Sequence, residues 1–143
     1  GGGGLLSTAA DYNRFMTMLV NGGIHNGTRL LSSRTLDLMT RNHLPGNTDL
    51  EAFATNSFSE VNFAGVGFGL GFATTVAQPA TLVPGSTGDF FWGGAAGTFF
   101  WVDPQEDLIG LFLTQVLPSS AYPVRRQLRS LVYSAITEVG AAA

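Results

Sequence analysis

Apolar positions in the first part of the chain recur at helical spacing. Tyr12, Phe15, Met16, Leu19 and Val20 fall at i, i+3, i+4, i+7 and i+8, which predicts an amphipathic helix over residues 7–21. Ser7 stands where an N-cap is needed, Asp11 suits the first-turn dipole, and Asn21-Gly22-Gly23 ends the element. Ser32-Ser33, Leu36 and Met39 predict a shorter helix over residues 33–42. From His43 to Asn62 the pattern lapses into Pro, Gly, Asn, Thr and Ser with scattered Phe. Irregular loops of that length often border a site.

The period then changes to two. Gly65-Val66-Gly67-Phe68-Gly69-Leu70-Gly71-Phe72 reads as one strand, with Val66, Phe68, Leu70 and Phe72 on one face and glycines on the other. The bare face would let a helix or a neighbouring sheet come very close. A phosphate cradle is rejected, because the third glycine of G-x-G-x-x-G falls on Leu70 or Phe72. A linker over residues 78–88, with Pro79, Pro84 and Gly85, leads to three runs: around Trp92, over residues 98–103, and over Leu108 to Leu113. Their short connections predict an antiparallel meander, and the sheet spans about residues 65–116. The last run lacks alternation and is expected to be a central strand covered on both faces.

Pro123 opens a closing helix over residues 123–138, with Val124, Leu128, Leu131, Val132, Ala135 and Ile136 on one face. Arg125, Arg126 and Arg129 occupy the opposite face, read as solvated or as meeting acidic partners outside the chain. The fold class is therefore α+β, an antiparallel sheet flanked by helices.

Composition narrows the chemistry. With 45% hydrophobic and 12% charged residues in 143, the chain should bury a substantial core rather than stay disordered. A net charge of −3 with dispersed cations argues against a nucleic-acid partner. No apolar run reaches the roughly 18 residues of a transmembrane segment. Cysteine is absent, so thiolate nucleophiles, disulfides and zinc–thiolate sites are excluded within the sequence. All seven basic residues are arginines, so no lysine base can be completed inside this chain. His25 and His43 have no carboxylate at metal-ligand spacing, and neither a metal nor a cofactor is expected. Gly85-Ser86-Thr87-Gly88 reads as a turn rather than a G-x-S-x-G elbow, and Asp103, Glu106 and Asp107 also read as turn residues. The opening Gly1-Gly2-Gly3-Gly4 reads as an internal cut in a longer polypeptide.

Asp89 to Pro104 is the stretch that bears most on function. Gly93, Gly94, Ala95, Ala96 and Gly97 put a nearly side-chain-free patch inside an aromatic, strand-like run. Two readings stand: a place where a ligand meets backbone N–H groups, or a hairpin corner that only turns the chain.

Gly2-Gly3-Gly4-Leu5-Leu6-Ser7-Thr8-Ala9-Ala10-Asp11-Tyr12-Asn13-Arg14-Phe15, then Gly67 to Phe72, then Trp92-Gly93-Gly94-Ala95, then Phe100-Trp101-Val102-Asp103-Pro104, form an ordered set of blocks. In that order the chain resembles the C-terminal part of serine β-lactamase-like hydrolases, nearest their esterase and class C-like branch. Such enzymes use S-x-x-K, Y-x-N and a K-T-G strand. Only the third has a counterpart here, because Tyr12-Asn13-Arg14 is not Y-x-N and lysine is missing. The resemblance implies that Trp92, Gly93 and Gly94 occupy the K-T-G place and line the substrate. It also makes the Ala95 N–H an oxyanion-hole donor, the other donor belonging to a nucleophilic serine.

That serine and its Lys/Tyr base are then expected on an N-terminal part of the same hydrolase domain. Residues 1–143 would form the domain's C-terminal portion, inert alone. A lysine at the first motif position would pair with a substrate carboxylate, whereas Trp92 offers an apolar wall and an indole N–H. The expected partner is a small ester or amide, and the expected activity a carboxylesterase working through an acyl-enzyme. A β-lactamase or D-Ala-D-Ala peptidase, a catalytically inactive scaffold, and Trp92 as a plain core aromatic stand as the other readings.

Overall fold

The computed structural model describes residues 4–53 and 63–138. Helix α1 covers Ala9–Val20, and its N-cap is Thr8 rather than Ser7. The Thr8 hydroxyl accepts from the Asp11 N–H at 3.1 Å, so placing the cap one residue later puts Asp11 in the third helical position, where its carboxylate also accepts from Thr8. The buried stripe is Met16, Met18 and Leu19, while Phe15 is 40% exposed and meets the Tyr12 ring edge to face. The helix is thus rotated slightly from the orientation that the full apolar stripe predicts.

A small ribbon, β1 (Ile24–His25) and β2 (Thr28–Arg29), follows through a turn in which Asn26 and Gly27 both have positive φ. Helix α2 spans Ser33–Thr40, capped by the Ser32 hydroxyl on the Thr35 N–H at 3.0 Å. The stretch read as irregular holds a 3₁₀ turn at Pro45–Asn47 and a one-turn helix, α3, at Leu50–Phe53. Its remainder, residues 54–62, lies outside the described residues.

Strands β3 (Val66–Phe68), β4 (Ala73–Thr75), β5 (Phe90–Gly93), β6 (Phe99–Asp103) and β7 (Leu108–Phe112) form one antiparallel sheet in chain order. Between β4 and β5 lies α4, a single turn at Gln78–Thr81. The single strand expected over Gly65 to Phe72 is instead a hairpin, because the chain reverses at Gly69-Leu70-Gly71 and leaves Leu70 exposed. The bare glycine face does permit close approach. A β-carbon at Gly67 would overlap the Asn42 side chain, and one at Gly69 would overlap the Met39 carbonyl.

The last apolar run, β7, is an edge strand among the described residues, and all five of its positions are half-buried. The strand buried at every position is β6. Its Phe100 and Val102, with Phe90, join Met16 and Leu19 in the core beneath α1. Phe99 and Trp101 point to the opposite face, covered by α5 (Val124–Ser134). Double-sided coverage therefore falls one strand earlier than the apolar pattern suggests.

Helix α5 is also turned the other way from its amphipathic reading. Arg129 is its buried residue and Leu131 is 69% exposed. The arginine face packs inward because the sheet beneath it is aromatic and carries its own acid, Asp89.

Candidate active site

The hairpin joining β5 to β6 carries the glycine patch. Trp92 is opposite Phe100 and Gly93 opposite Phe99, so β5 is paired with β6 along its whole length. On its other edge β5 pairs with β4 only at Phe90 and Phe91, and from Trp92 onward that edge has no partner strand among the described residues. The Thr75 N–H donates to the Asp89 carbonyl at 2.9 Å, and the Gly94 N–H donates to the Thr98 carbonyl at 2.8 Å. By antiparallel alternation, Gly93 turns its N–H and carbonyl to the open edge.

Ala95 follows as the first corner of a turn closed by the Gly97 N–H on the Gly94 carbonyl at 3.0 Å. It is exposed, and its N–H has no acceptor among the described residues. The glycine patch is thus a hairpin corner whose final β5 residue lies on an unpaired edge. One reading of the patch does not displace the other.

Phe68 stands beside this edge. Its ring meets Trp92 edge to face at 5.0 Å between centroids, and Trp92 stays 40% exposed. Asn42 and His43 fix the Phe68 backbone from the end of α2. The Phe68 N–H donates to Asn42 Oδ1 at 3.1 Å, and its carbonyl accepts from the His43 N–H at 2.8 Å. Trp92 is therefore half of an aromatic wall rather than a sealed core residue.

Behind the hairpin, Arg125 of α5 donates from Nη2 to the carbonyls of Gly94 at 2.7 Å and Thr98 at 3.2 Å. Its guanidinium lies over the Phe99 ring, 5.6 Å from the centroid. Gly93 makes room for it, since a β-carbon there would come within 2.8 Å of the guanidinium carbon. Arg125 is therefore neither solvated nor turned to an acid outside the chain, as the amphipathic pattern suggests, but bonded to the hairpin. The signal that could have placed it is its helical spacing from Arg129, which puts both side chains on one side of α5.

A second polar cluster lies toward the opposite end of β5. Asp89 is fully buried and pairs with Arg129, and its carboxylate also accepts from the Thr75 hydroxyl at 2.6 Å. Burial pushes the Asp89 carboxyl up, against the pull of the Arg129 guanidinium and the Thr75 hydroxyl. Arg129 also donates to the Pro84 carbonyl at 3.2 Å and sits within 6.0 Å of the Phe91, Trp101 and Tyr133 ring centroids. Tyr133 donates to Asp103 Oδ2 at 2.7 Å, and burial keeps its hydroxyl protonated by pushing its pKa far up. Asp103 is thus buried and bonded, and it also serves the turn after β6, its Oδ1 accepting from the Gln105 N–H at 3.0 Å. Ser86 does lie in a turn, its N–H on Asp89 at 3.3 Å.

Comparison with known proteins matches residues 1–134 to the Beta-lactamase family. Protein Rv1367c of Mycobacterium tuberculosis is 40% identical over 121 residues, covering 82% of this chain and 29% of that protein. The hydrolase EstCE1, described as having promiscuous acyltransferase activity, superposes with a TM-score of 0.69 at 25% identity over 89% of this chain and 30% of its own. Simvastatin synthase (LovD) from Aspergillus terreus shares the fold, with a TM-score of 0.70 at 20% identity over 92% of this chain and 34% of its own. The chain thus spans about a third or less of the length of these relatives.

Proposed function

The chain belongs to the Beta-lactamase family, within the serine β-lactamase-like hydrolases, and from that premise we propose that it supplies the substrate-facing strand of a carboxylesterase. It is the C-terminal portion of one hydrolase domain. The nucleophilic serine and its Lys/Tyr base lie on the N-terminal portion.

In the reaction, the serine oxygen attacks the ester carbonyl carbon while its proton passes to the base. The carbonyl electron pair moves to oxygen, which the Ala95 N–H and the serine's own N–H then stabilise. Collapse of that intermediate expels the alcohol with the proton returned to it, leaving an acyl-enzyme that water opens by the same steps. Gly93 leaves the face behind the edge free for Arg125, and Gly94 leaves room for the Thr98 side chain, so the backbone edge along which the acyl group lies is set by the hairpin.

The observation that carries this reading is the open β5 edge next to the Phe68–Trp92 wall. Trp92 puts an indole where K-T-G enzymes place an ammonium, which favours an uncharged ester over a substrate carboxylate. EstCE1, described as a hydrolase with promiscuous acyltransferase activity, supports hydrolytic acyl transfer at the coarser level.

The test compares p-nitrophenyl esters with nitrocefin on the full-length protein. Turnover of short esters with little nitrocefin hydrolysis is expected. Rapid nitrocefin turnover without esterase activity identifies a β-lactamase or D-Ala-D-Ala peptidase instead. Inertness toward both, with no S-x-x-K in the remaining sequence, identifies an inactive member of the fold.

A further inference from the structure

We propose that Arg125 is a positioning residue that aims and strengthens the Ala95 N–H. The inference rests on the reading of that N–H as an oxyanion donor and goes beyond it by assigning the donor's control to α5.

The argument turns on a shared peptide group. The carbonyl of Gly94 and the N–H of Ala95 belong to one amide. Arg125 donates a charged hydrogen bond to that carbonyl at 2.7 Å, and the Gly97 N–H adds another at 3.0 Å. Each bond accepted at the oxygen draws electron density from the amide nitrogen and makes its proton a better donor. A charged donor does so more than a neutral one. The second bond from Arg125, to the Thr98 carbonyl at 3.2 Å, ties the two sides of the hairpin neck together and fixes the direction of the amide plane.

Three neighbours suit this task. Gly93 has no side chain to keep the guanidinium away, and a β-carbon there would press within 2.8 Å of it. Phe99 gives the guanidinium a face to lie on, at 5.6 Å from its centroid. The Gly94–Thr98 backbone pair, bonded at 2.8 Å, presents both carbonyls at the neck that one Nη2 can reach. A lysine could supply the charge but not the planar contact with Phe99. The cation sits behind the amide, so it adds favourable potential as negative charge develops in front.

The experiment uses the full-length protein, p-nitrophenyl acetate, and a matched ester carrying a carboxylate. Arg125→Met should lower kcat about tenfold with KM within about twofold for both esters, a fraction of the roughly 10²–10³ lost with a whole donor. Binding of an arylboronic acid, which forms a tetrahedral adduct on serine, should weaken by the same factor as kcat/KM. Arg125→Lys should fall between wild type and Met, at about threefold below wild type in kcat.

Ala95→Pro removes the N–H at a turn corner that suits proline, and should cost about 10²-fold in kcat. Unchanged kcat in Arg125→Met overturns the proposal, as does a KM rise confined to the carboxylate ester, which would make Arg125 a substrate-charge reader. If Ala95→Pro loses kcat while Arg125→Met does not, only the role of Arg125 falls. If Ala95→Pro retains full kcat, the donor reading falls and the proposal with it. Should Arg125→Met not fold, Arg125→Lys decides alone: reduced kcat at constant KM supports the proposal, and wild-type kcat overturns it.

Discussion

The two faces of the sheet are held by different chemistry. Beneath α1 the contacts are apolar: Met16, Met18 and Leu19 against Phe90, Phe100 and Val102, with Tyr12 tilted on Phe100 at 5.3 Å. Beneath α5 the same two strands present Asp89, Phe91, Phe99, Trp101 and Asp103, and the helix answers with Arg125, Arg129 and Tyr133. An apolar face holds a helix through buried area and tolerates small changes of angle. A face built on directed donors fixes the helix in one rotation and one height. α1 is thus held by area and α5 by direction, and the hairpin with the open edge is attached to the second.

The largest way to break this contrast is Arg129→Met, which leaves the buried Asp89 carboxylate without its cation. It should cost about 3–5 kcal/mol in urea unfolding, and the double variant Asp89→Leu, Arg129→Met should recover most of that loss. If the single variant lost less than about 1 kcal/mol, the α5 face would be no more demanding than the other. On the apolar face, Leu19→Ala should cost about 3 kcal/mol while Leu19→Met costs under about 1.5, since only volume matters there.

The smallest effect lies off both faces. Asp49 accepts from the Gly65 and Ala52 N–H groups, both at 2.9 Å, and these bonds, Gly65 first, hold its carboxyl below the ordinary aspartate value. Its contribution should be full above that ordinary value and lost as pH falls through the lowered one. The protection factor of the Gly65 amide should show that loss, and Asp49→Asn should abolish the pH dependence of that factor.

Much of this architecture is legible in the residues. The spacing from Tyr12 to Leu19 gives α1, and the short connections after Gly88 give the meander. The Gly67 and Gly69 face marks where the end of α2 lies against β3. The reversal at Gly69-Leu70-Gly71 is hidden because strict alternation continues through it. Asn26-Gly27, with positive φ at both residues, is the turn signal for the small ribbon.

The inward turn of α5 escapes an amphipathic reading that assumes apolar means buried. Strand parity holds the missing clue. Asp89 shares a face with Phe91, and Asp103 shares one with Phe99 and Trp101, so two acids on an aromatic face required a cation or another donor above them. At the site, the glycine patch and the resemblance singled out Trp92 to Ala95. Phe68 and Arg125 come from other elements, and only folding brings them to the hairpin.

β7 has a practical consequence. Its outer side has no neighbouring strand among the described residues, and the strand carries Leu108, Ile109, Leu111 and Phe112. Produced by itself at high concentration, the 143-residue chain should add copies of itself along that seam, and Leu113→Lys, at an exposed position just past the strand, would be the simplest guard for anyone making it in isolation.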